Sequence, residues 1–307
     1  MAIPTADTTT YDIVGMREDL IDVITNISPV ETWFTSNTGN GKATNRYHEW
    51  QIDSLATPTA NAQIEGNTKT ATAITATSRT GNYTQILSKE FMVTETTDAV
   101  TKAGRSSETA YQTQKKMKEL ANDIEYALLI NATAASGATG TARTLKGVLG
   151  WVTSNTYTGT ATGNATPVSA ANIRTVLQSI WTAGGKPQHM IMGGFQKQAV
   201  SVLTTSNTKY VKGQEKEVVD AVDVYDTDFG RIAIHLHRIL DGTSNATKGA
   251  IIVLGDMALW QKAWLRPVKK TELPIASTST FYTIEAELTL EARQEAGSGV
   301  MSNLTIS

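Results

Sequence analysis

The chain has 307 residues, of which 40% are hydrophobic and 18% are charged, and its formal net charge is −2 at pH 7. A chain of this length buries a substantial core and usually divides into sub-domains. The nearly balanced charge argues against a protein that coats nucleic acid through bulk positive charge and against a protein that binds anionic membranes. The absence of cysteine excludes disulfide scaffolding, thiol catalysis and cysteine-based zinc sites.

The N-terminal region, residues 1–45, predicts an extended arm. Its first residues, MAIPTADTTTYDIVG, lack the basic start and apolar stretch of a signal peptide, so we expect synthesis in the cytosol. A short helical pattern follows over Met16–Pro29 and is ended by the proline. Its apolar residues form a narrow stripe at helical spacing: Leu20, Ile21, Ile24 and Ile27. Such a stripe, preceded by polar chain, requires another surface to pack against.

Two strand-like segments follow the arm. Residues 45–55 alternate His48, Trp50 and Ile52 against polar neighbours, and a second strand pattern begins at Asn82. The chain between them is rich in small polar residues and poor in residues that form a core. A lone hairpin is marginal in water, and long loops in compact domains are usually functional. The composition therefore predicts a long projecting hairpin or loop whose missing contacts come from neighbouring subunits.

The segment SETAYQTQKKMKELANDIEYALLIN, Ser107–Asn131, is the one long, uninterrupted helical pattern of the chain. Glu108 lies in its first turn, where a carboxylate complements the helix dipole. Its second half carries an apolar stripe, widened by two alanines: Met117, Leu120, Ala121, Ile124, Ala127 and Leu128. Its first half is polar instead: Gln112, Thr113, Gln114, Lys115 and Lys116. We predict that the second half packs in a core and that the first half is a strut beneath another element.

After the long helix, a loop-rich stretch with a predicted short strand around Val148–Val152 precedes a different pattern. Over residues 167–262, helical and strand patterns alternate as in a small α/β sub-domain. Its first helix, within residues 172–185, closes at Gly184–Gly185 as glycine-capped helices do. The final segment predicts a long strand with alternating inward residues: Tyr282, Ile284, Ala286, Leu288 and Leu290.

Few residues indicate a chemical site. His235 and His237 form an H-x-H pair that would share one strand face, either as the start of a metal site or as part of a polar face. Glu285 and Glu287 also share a face, and their context favours a solvated strand over a glycosidase-like carboxylate pair. No phosphate-binding, hydrolase or metalloprotease motif is present. We predict no enzyme, no cofactor and no metal, and interpret the six tryptophans as core and interface anchors.

Short motifs run through the chain in a fixed order: NISPVETWF (Asn26–Phe34), NRYHEWQIDSLA (Asn45–Ala56), Glu65-Gly66, RTGNYTQILSK (Arg79–Lys89), ELANDIEYALL (Glu119–Leu129), IWTAGGKP (Ile180–Pro187), DVYDTDFG (Asp223–Gly230), AWLRP (Ala263–Pro267) and ELTLEARQEAG (Glu287–Gly297). No single motif is diagnostic. Their order and spacing together resemble one family, the major capsid proteins of tailed bacteriophages and prophages with the HK97-like fold.

The resemblance implies an α+β fold of the HK97-like capsid type. Its expected divisions are an N-terminal arm (1–45), an E-loop that lies over an adjacent subunit (46–95), a P-domain (96–166) with a spine helix (107–131), an A-domain around the capsomer axis (167–262), and return strands of the P-domain (263–307).

The resemblance also implies partners and a location. Hexamers and pentamers of the chain would close into an icosahedral shell around double-stranded DNA in the virion, with portal and scaffolding or decoration proteins as further partners and no membrane. Many members carry a long N-terminal scaffolding segment that a protease removes. Here the arm begins almost at Met1, which implies a separate scaffolding protein or none.

The residues expected to contact neighbouring subunits are Trp33, Phe34, Trp50, Glu65, Lys69, Arg79, Tyr83, Lys115 and Lys116. Some members of the family crosslink a lysine to an asparagine of a neighbour. Lys69, at the expected E-loop tip, is either placed for such a crosslink or is a solvated loop lysine.

Two alternatives stand beside this interpretation. An encapsulin-like compartment would use the same fold to enclose an enzyme, and it would need a pocket for a cargo peptide. A secreted β-rich glycan-active enzyme or adhesin would need a signal peptide and convergent carboxylates or aromatic residues.

Overall fold

The computed structural model of the protein describes residues 32–68, 71, 73–160, 166–205, 223–241, 249–273 and 278–306. The predicted helix at Met16–Pro29 and the loop residue Lys69 lie outside the described residues. Within these ranges no helix is long and apolar enough to cross a membrane.

The helices and strands are interleaved along the chain. The helices are α1 (Trp33–Asn37), α2 (Glu95–Ala99), α3 (Glu108–Ile130), α4 (Val148–Trp151), α5 (Ala170–Thr182) and α6 (Gly194–Thr205). The strands are β1 (Gly39–Lys42), β2 (Tyr47–Ile52), β3 (Ser78–Tyr83), β4 (Gln85–Thr94), β5 (Thr156–Thr158), β6 (His189–Met192), β7 (Val224–Thr227), β8 (Gly230–Leu236), β9 (Ile252–Gly255), β10 (Trp260–Leu273), β11 (Ser279–Ala292) and β12 (Gly299–Ser302).

A four-stranded sheet has the order β1-β10-β11-β4. β11 is antiparallel to both β10 and β4, whereas β1, near the end of the arm, is parallel to β10. The predicted alternation of β11 is confirmed, since its inward residues from Ile284 to Leu290 are fully buried. β10 accommodates Pro267 within the register shift between Arg266 and Lys269, where a strand tolerates a residue without an amide hydrogen.

The long helix α3 packs on the inward face of this sheet, and its predicted range is confirmed. Ser107 caps its first turn by accepting a hydrogen bond from the Ala110 amide. Asp98 accepts another from the Glu108 amide at 2.7 Å, and this bond lowers the pKa of the Asp98 carboxyl. The apolar residues of the second half are buried: Leu120, Ile124, Ala127, Leu128 and Leu129. Met117 is 41% exposed, so the buried stripe begins one turn later than predicted.

The opposite face of β11 is covered by the antiparallel pair β2–β3. The solvated face predicted for Glu287 is therefore wrong: this residue is buried. Its carboxylate accepts hydrogen bonds from Thr84 Oγ1 at 2.7 Å, Arg143 Nη2 at 2.5 Å and Arg266 Nε at 2.9 Å. These charge-assisted bonds compensate for the loss of water around the carboxylate. Glu285 remains half-exposed beside the Arg266 guanidinium.

A second sheet of six strands has the order β5-β12-β9-β6-β8-β7. Helices α5 and α6 contribute to the core on one of its faces, and residues of its other face, such as Ile191 and Val253, belong to the core that also contains α3. The helix–strand alternation predicted for this region is confirmed. So is the glycine C-cap of α5, since Gly184 has a φ of +88°, in the left-handed region that favours glycine.

One expectation about a short segment needs correction. The sequence predicts a short strand at Val148–Val152, whereas the chain forms the helical turn α4; a four-residue apolar run does not distinguish the two by periodicity. The last strand, β12, pairs with β9 and β5 in the six-stranded sheet. The end of the chain thus ties the two sheets together.

Candidate functional site

The described end of the arm is fixed to α3 by one buried carboxylate, Glu125. The amides of Phe34 and Thr35 donate to its two oxygens at 2.7 Å each, and the Thr35 hydroxyl donates to it as well. Phe34 itself is fully buried in the core of its own chain and packs edge-on against Trp260. Its side chain therefore anchors the arm and is not exposed to a neighbour.

Two further polar groups complete the Glu125 cluster, which we define as Glu125, His237 and Lys262. The Glu125 carboxylate lies 2.8 Å from His237 Nε2, and both side chains are fully buried. Lys262 Nζ donates to the carbonyl oxygens of Thr35 and Thr38. Burial lowers the pKa of the Lys262 ammonium, and the Glu125 carboxylate opposes that shift. The cluster therefore joins the arm, α3, the strand β10 and the end of β8.

Trp33 lies beside a second cluster, formed by two histidines of the six-stranded sheet. Its indole stacks on the His235 ring with centroids 4.0 Å apart and meets the His189 ring edge-on at 5.2 Å. His189 Nδ1 and His235 Nε2 lie 3.1 Å apart. Burial lowers the pKa of both imidazoles; the Asp256 carboxylate opposes this for His189, whereas His189 and Lys197 lower the pKa of His235 further.

The predicted H-x-H pair is thus divided between two clusters. His235 contacts His189 and Trp33, while His237 contacts Glu125 and is only 2% exposed. The alternative to a metal site, a polar strand face, is wrong for His237, because this residue is buried. No group of three or more metal-ligating side chains occurs among the described residues. The pair acts in packing the arm against the second sheet.

The lowered pKa values of His189 and His235 predict how stability depends on pH. Below their ordinary value of 6.5 the unfolded chain takes up protons that the folded chain does not, so the free energy of unfolding falls as the pH falls. In urea denaturation, a His189→Gln/His235→Gln variant will lose less stability than the parent on acidification. Measurements at about pH 8, where both imidazoles are neutral, provide the reference. Parallel pH profiles would contradict the assignment.

The base of the β2–β3 hairpin is rigidly attached to β11. Asn82 is fully buried, its side-chain amide donates to the carbonyl oxygens of Leu290 at 2.8 Å and Lys146 at 2.9 Å, and its side-chain oxygen accepts from the Lys146 amide. The Trp50 indole donates to the carbonyl oxygen of Ala292 at 2.8 Å. The predicted contact residue Trp50 is therefore half-buried within its own chain, as part of this attachment.

Beyond this base lies the hairpin loop (residues 53–77), of which residues 53–68, 71 and 73–77 are described. Its described residues are exposed, and its large apolar side chains have almost no cover: Leu55 is 100% exposed, Ile64 84% and Ile74 96%. The predicted contact residue Glu65 is exposed at its turn. Three such bare apolar side chains on one loop favour contact with a partner surface.

The remaining predicted contact residues lie on separate surfaces. Arg79 is exposed at the end of the hairpin and pairs with Glu49 at 3.2 Å. Tyr83 is half-buried, with its ring 4.6 Å from that of Tyr47. On α3, Lys115 is exposed and Lys116 pairs with Glu119 at 2.8 Å. The structure thus arranges the predicted residues in three places, the arm, the hairpin and the first half of α3.

The comparison of the sequence with protein families identifies the chain. The profile of the SU10 major capsid protein family matches residues 4–305. The chain belongs to the SU10 major capsid protein family. A curated relative, the major capsid protein of Escherichia phage Phieco32, is 35% identical over 120 residues. The matched region makes up 39% of this chain and 34% of the relative. The chain therefore matches about a third of the relative's length.

Solved structures show the fold of this family member. The capsid of a native GTA particle matches with a TM-score of 0.66 and 11% identity, covering 99% of this chain and 100% of the other. Gordonia phage Cozz matches with a TM-score of 0.64 and 12% identity, covering 95% and 92%. An encapsulin complex from Synechococcus elongatus matches with a TM-score of 0.63 and 9% identity, covering 96% and 98%. The chain has the α+β, HK97-like capsid fold.

The Glu125 cluster is the functional feature that sequence reasoning missed. Its contacts join residues far apart in the sequence: Phe34 and Glu125 are 91 positions apart, and Glu125 and His237 are 112 positions apart. The one available signal was a carboxylate at position 125, inside the apolar stripe of a helix. Such a position indicates a buried charge with partners from elsewhere in the chain.

Proposed function

We propose that this chain is the shell-forming subunit of a tailed-phage capsid, which assembles into hexamers and pentamers of an icosahedral shell around double-stranded DNA. The observation that carries the proposal is the hairpin loop, whose apolar side chains are bare although its base is firmly attached. The family of the chain supports the same conclusion. No catalytic role is needed for this function.

The divisions expected from the sequence remain part of this proposal. The hairpin loop belongs to the E-loop, α3 to the P-domain, and the six-stranded sheet to the A-domain. Three contacts support the idea that these parts act together: the arm joins α3 at Glu125, the hairpin joins β11 at Asn82, and β12 joins the two sheets.

The proposed mechanism is mechanical and depends on many weak contacts. Each subunit offers an arm and a loop to its neighbours, and linked contacts stabilise a closed shell far more than any contact alone. The formal net charge of −2 permits DNA inside the shell without requiring tight DNA binding by this chain. Portal and scaffolding or decoration proteins are the further partners that such a shell would use.

An encapsulin-like compartment is the second candidate, because an encapsulin shares the fold at a TM-score of 0.63. Fold likeness at 9% identity does not separate a compartment from a capsid. The family match and the curated relative, both major capsid proteins, favour the capsid.

Electron microscopy of the purified recombinant protein, paired with sedimentation velocity, tests the proposal. We expect closed shells, tubes or capsomers that form as the protein concentration rises. A monomeric protein that cleaves a glycan or an ester would contradict it. Shells that enclose a protein cargo from the expression host would favour the compartment instead.

A further inference from the structure

Two histidines of the six-stranded sheet, His189 and His235, face each other across neighbouring strands. β6 and β8 are parallel, and Ile191 of β6 is directly opposite His235 of β8. His189 precedes Ile191 by two residues, so its side chain lies on the same face of the sheet as the His235 side chain. Register and alternation therefore bring together two imidazoles whose positions are 46 apart in the sequence.

The facing nitrogen atoms have the separation of two ligands of one metal ion. His189 Nδ1 and His235 Nε2 lie 3.1 Å apart. Zinc–imidazole bonds are about 2.0–2.1 Å long, so an ion bound to both nitrogens would make an N–metal–N angle of roughly 100°, between the octahedral and tetrahedral angles. Without an ion the same two nitrogens share one proton in a hydrogen bond, which the ion replaces.

Trp33 of the arm forms a wall on one side of the pair. Its indole stacks on the His235 ring with centroids 4.0 Å apart and meets the His189 ring edge-on at 5.2 Å. Both histidines are only half-buried, so water molecules can reach the pair and complete the coordination of an ion. The packing holds both rings in place before an ion binds, which lowers the entropic cost of binding.

The charged side chains around the pair leave a net negative charge. The Asp256 carboxylate acts on the His189 ring, and the Lys197 ammonium acts on the His235 ring. Lys197 is itself paired with Asp223 at 2.7 Å, so two carboxylates accompany one ammonium. Opposite charges attract more strongly near a protein surface than in bulk water, so this balance favours a cation at the pair.

We infer that His189 and His235 bind one divalent transition-metal ion of the zinc class through Nδ1 and Nε2. Imidazole nitrogen suits Zn²⁺, Ni²⁺ and Cu²⁺, whereas Mg²⁺ and Ca²⁺ prefer oxygen ligands. The bound ion joins β6 to β8 beside Trp33 and so stabilises the docked arm. The sequence predicts no metal because it pairs His235 with His237, whereas the structure pairs His235 with His189. The inference goes beyond the proposed function and does not depend on it.

Isothermal titration of Zn²⁺ into the untagged chain, stripped of metal with a chelator, tests this site. At about pH 7.5 most imidazoles are neutral and offer a lone pair to the ion. We expect about one equivalent of Zn²⁺ to bind the parent chain at the pair and Mg²⁺ not to bind there. Even a supporting group of a metal site contributes about 10–100-fold to affinity, so His189→Gln and His235→Gln will each weaken Zn²⁺ binding at least tenfold.

His48→Gln is the matched control for these variants. His48 Nε2 lies 3.3 Å from a Glu291 oxygen, but Arg293 already pairs with that carboxylate, so this position offers a poorer set of ligands. We expect the His48 variant to bind Zn²⁺ as the parent does. An absence of Zn²⁺ binding by the parent, equal binding by the His189→Gln/His235→Gln variant, or loss of binding in His48→Gln would each overturn the inference.

Tryptophan fluorescence gives a second readout in case the histidine variants fold poorly. Cu²⁺ quenches an indole that lies close to it, and Trp33 is stacked on the His235 ring. We expect Cu²⁺ to quench the parent in a saturable way and Trp33→Phe, which keeps an aromatic ring against the pair, to lose most of that quenching. Quenching that persists unchanged in Trp33→Phe would place the ion elsewhere and overturn the inference. Neither measurement requires assembly, so a negative result leaves the proposed function standing.

Discussion

Replacing Glu125 with alanine will destabilise the subunit by about 3–5 kcal/mol, the range for removing one partner of a buried charge pair. The substitution leaves the amides of Phe34 and Thr35 without an acceptor and leaves the buried His237 and Lys262 without their carboxylate. Unsatisfied buried donors keep their full desolvation cost. Urea denaturation, followed by circular dichroism and tryptophan fluorescence, measures the loss.

Glu49→Ala is the matched control for this substitution. Glu49 pairs with Arg79 at 3.2 Å, but both side chains are largely exposed, so its removal should change stability by only about 0–1 kcal/mol. If Glu125→Ala unfolds at the same urea concentration as Glu49→Ala, the cluster does not hold the arm in the way described.

Deleting Thr59–Thr77 will abolish closed shells while leaving the subunit folded. Residues 53–58 remain to connect β2 with β3, a length within the common range for such connections. The hairpin base keeps its bonds from Asn82 and Trp50 to β11, so the urea midpoint should stay close to that of the parent. The variant loses the bare apolar side chains that we assign to contact with a neighbour. Electron microscopy and sedimentation will show free subunits or incomplete capsomers.

A substitution variant distinguishes the effect of the loop's apolar side chains on assembly from the effect of its length. Leu55→Ser, Ile64→Ser and Ile74→Ser together keep the chain length and remove only apolar side chains that are at least 84% exposed. Assembly by this variant at the parent's concentration would show that the loop acts without apolar contact. Normal shells from the deletion variant would remove the loop from the assembly mechanism.

The features that the sequence predicts well are those set by local spacing. The helix over Ser107–Asn131 follows from its uninterrupted pattern, and the inward residues of β11 follow from strict alternation. The hairpin loop follows from a stretch too poor in apolar residues to form a core. Each of these signals is contained within one short segment of the chain.

The features that the sequence does not predict depend on contacts between distant segments. Alternation places the Glu287 side chain on the face of β11 that points away from the core. Nothing in the local sequence shows that β2 and β3 cover this face as well. Glu125 is paired with partners from the arm and from the residue that follows β8, which no spacing rule connects. α4 was indistinguishable from a strand, because a short apolar run fits either. The assembly surfaces share this difficulty, since their partners are on another chain.

The attachment of the hairpin to β11 has a consequence for how the subunit carries force. A pull on the hairpin enters β11 through the bonds at Leu290 and Ala292 and is directed along the strand. The ladder bonds to β10 and β4 lie across that direction, so they are loaded together in shear instead of being peeled one by one. β11 therefore resists tension along its axis, because the ladder bonds to both neighbouring strands share the load over its full length.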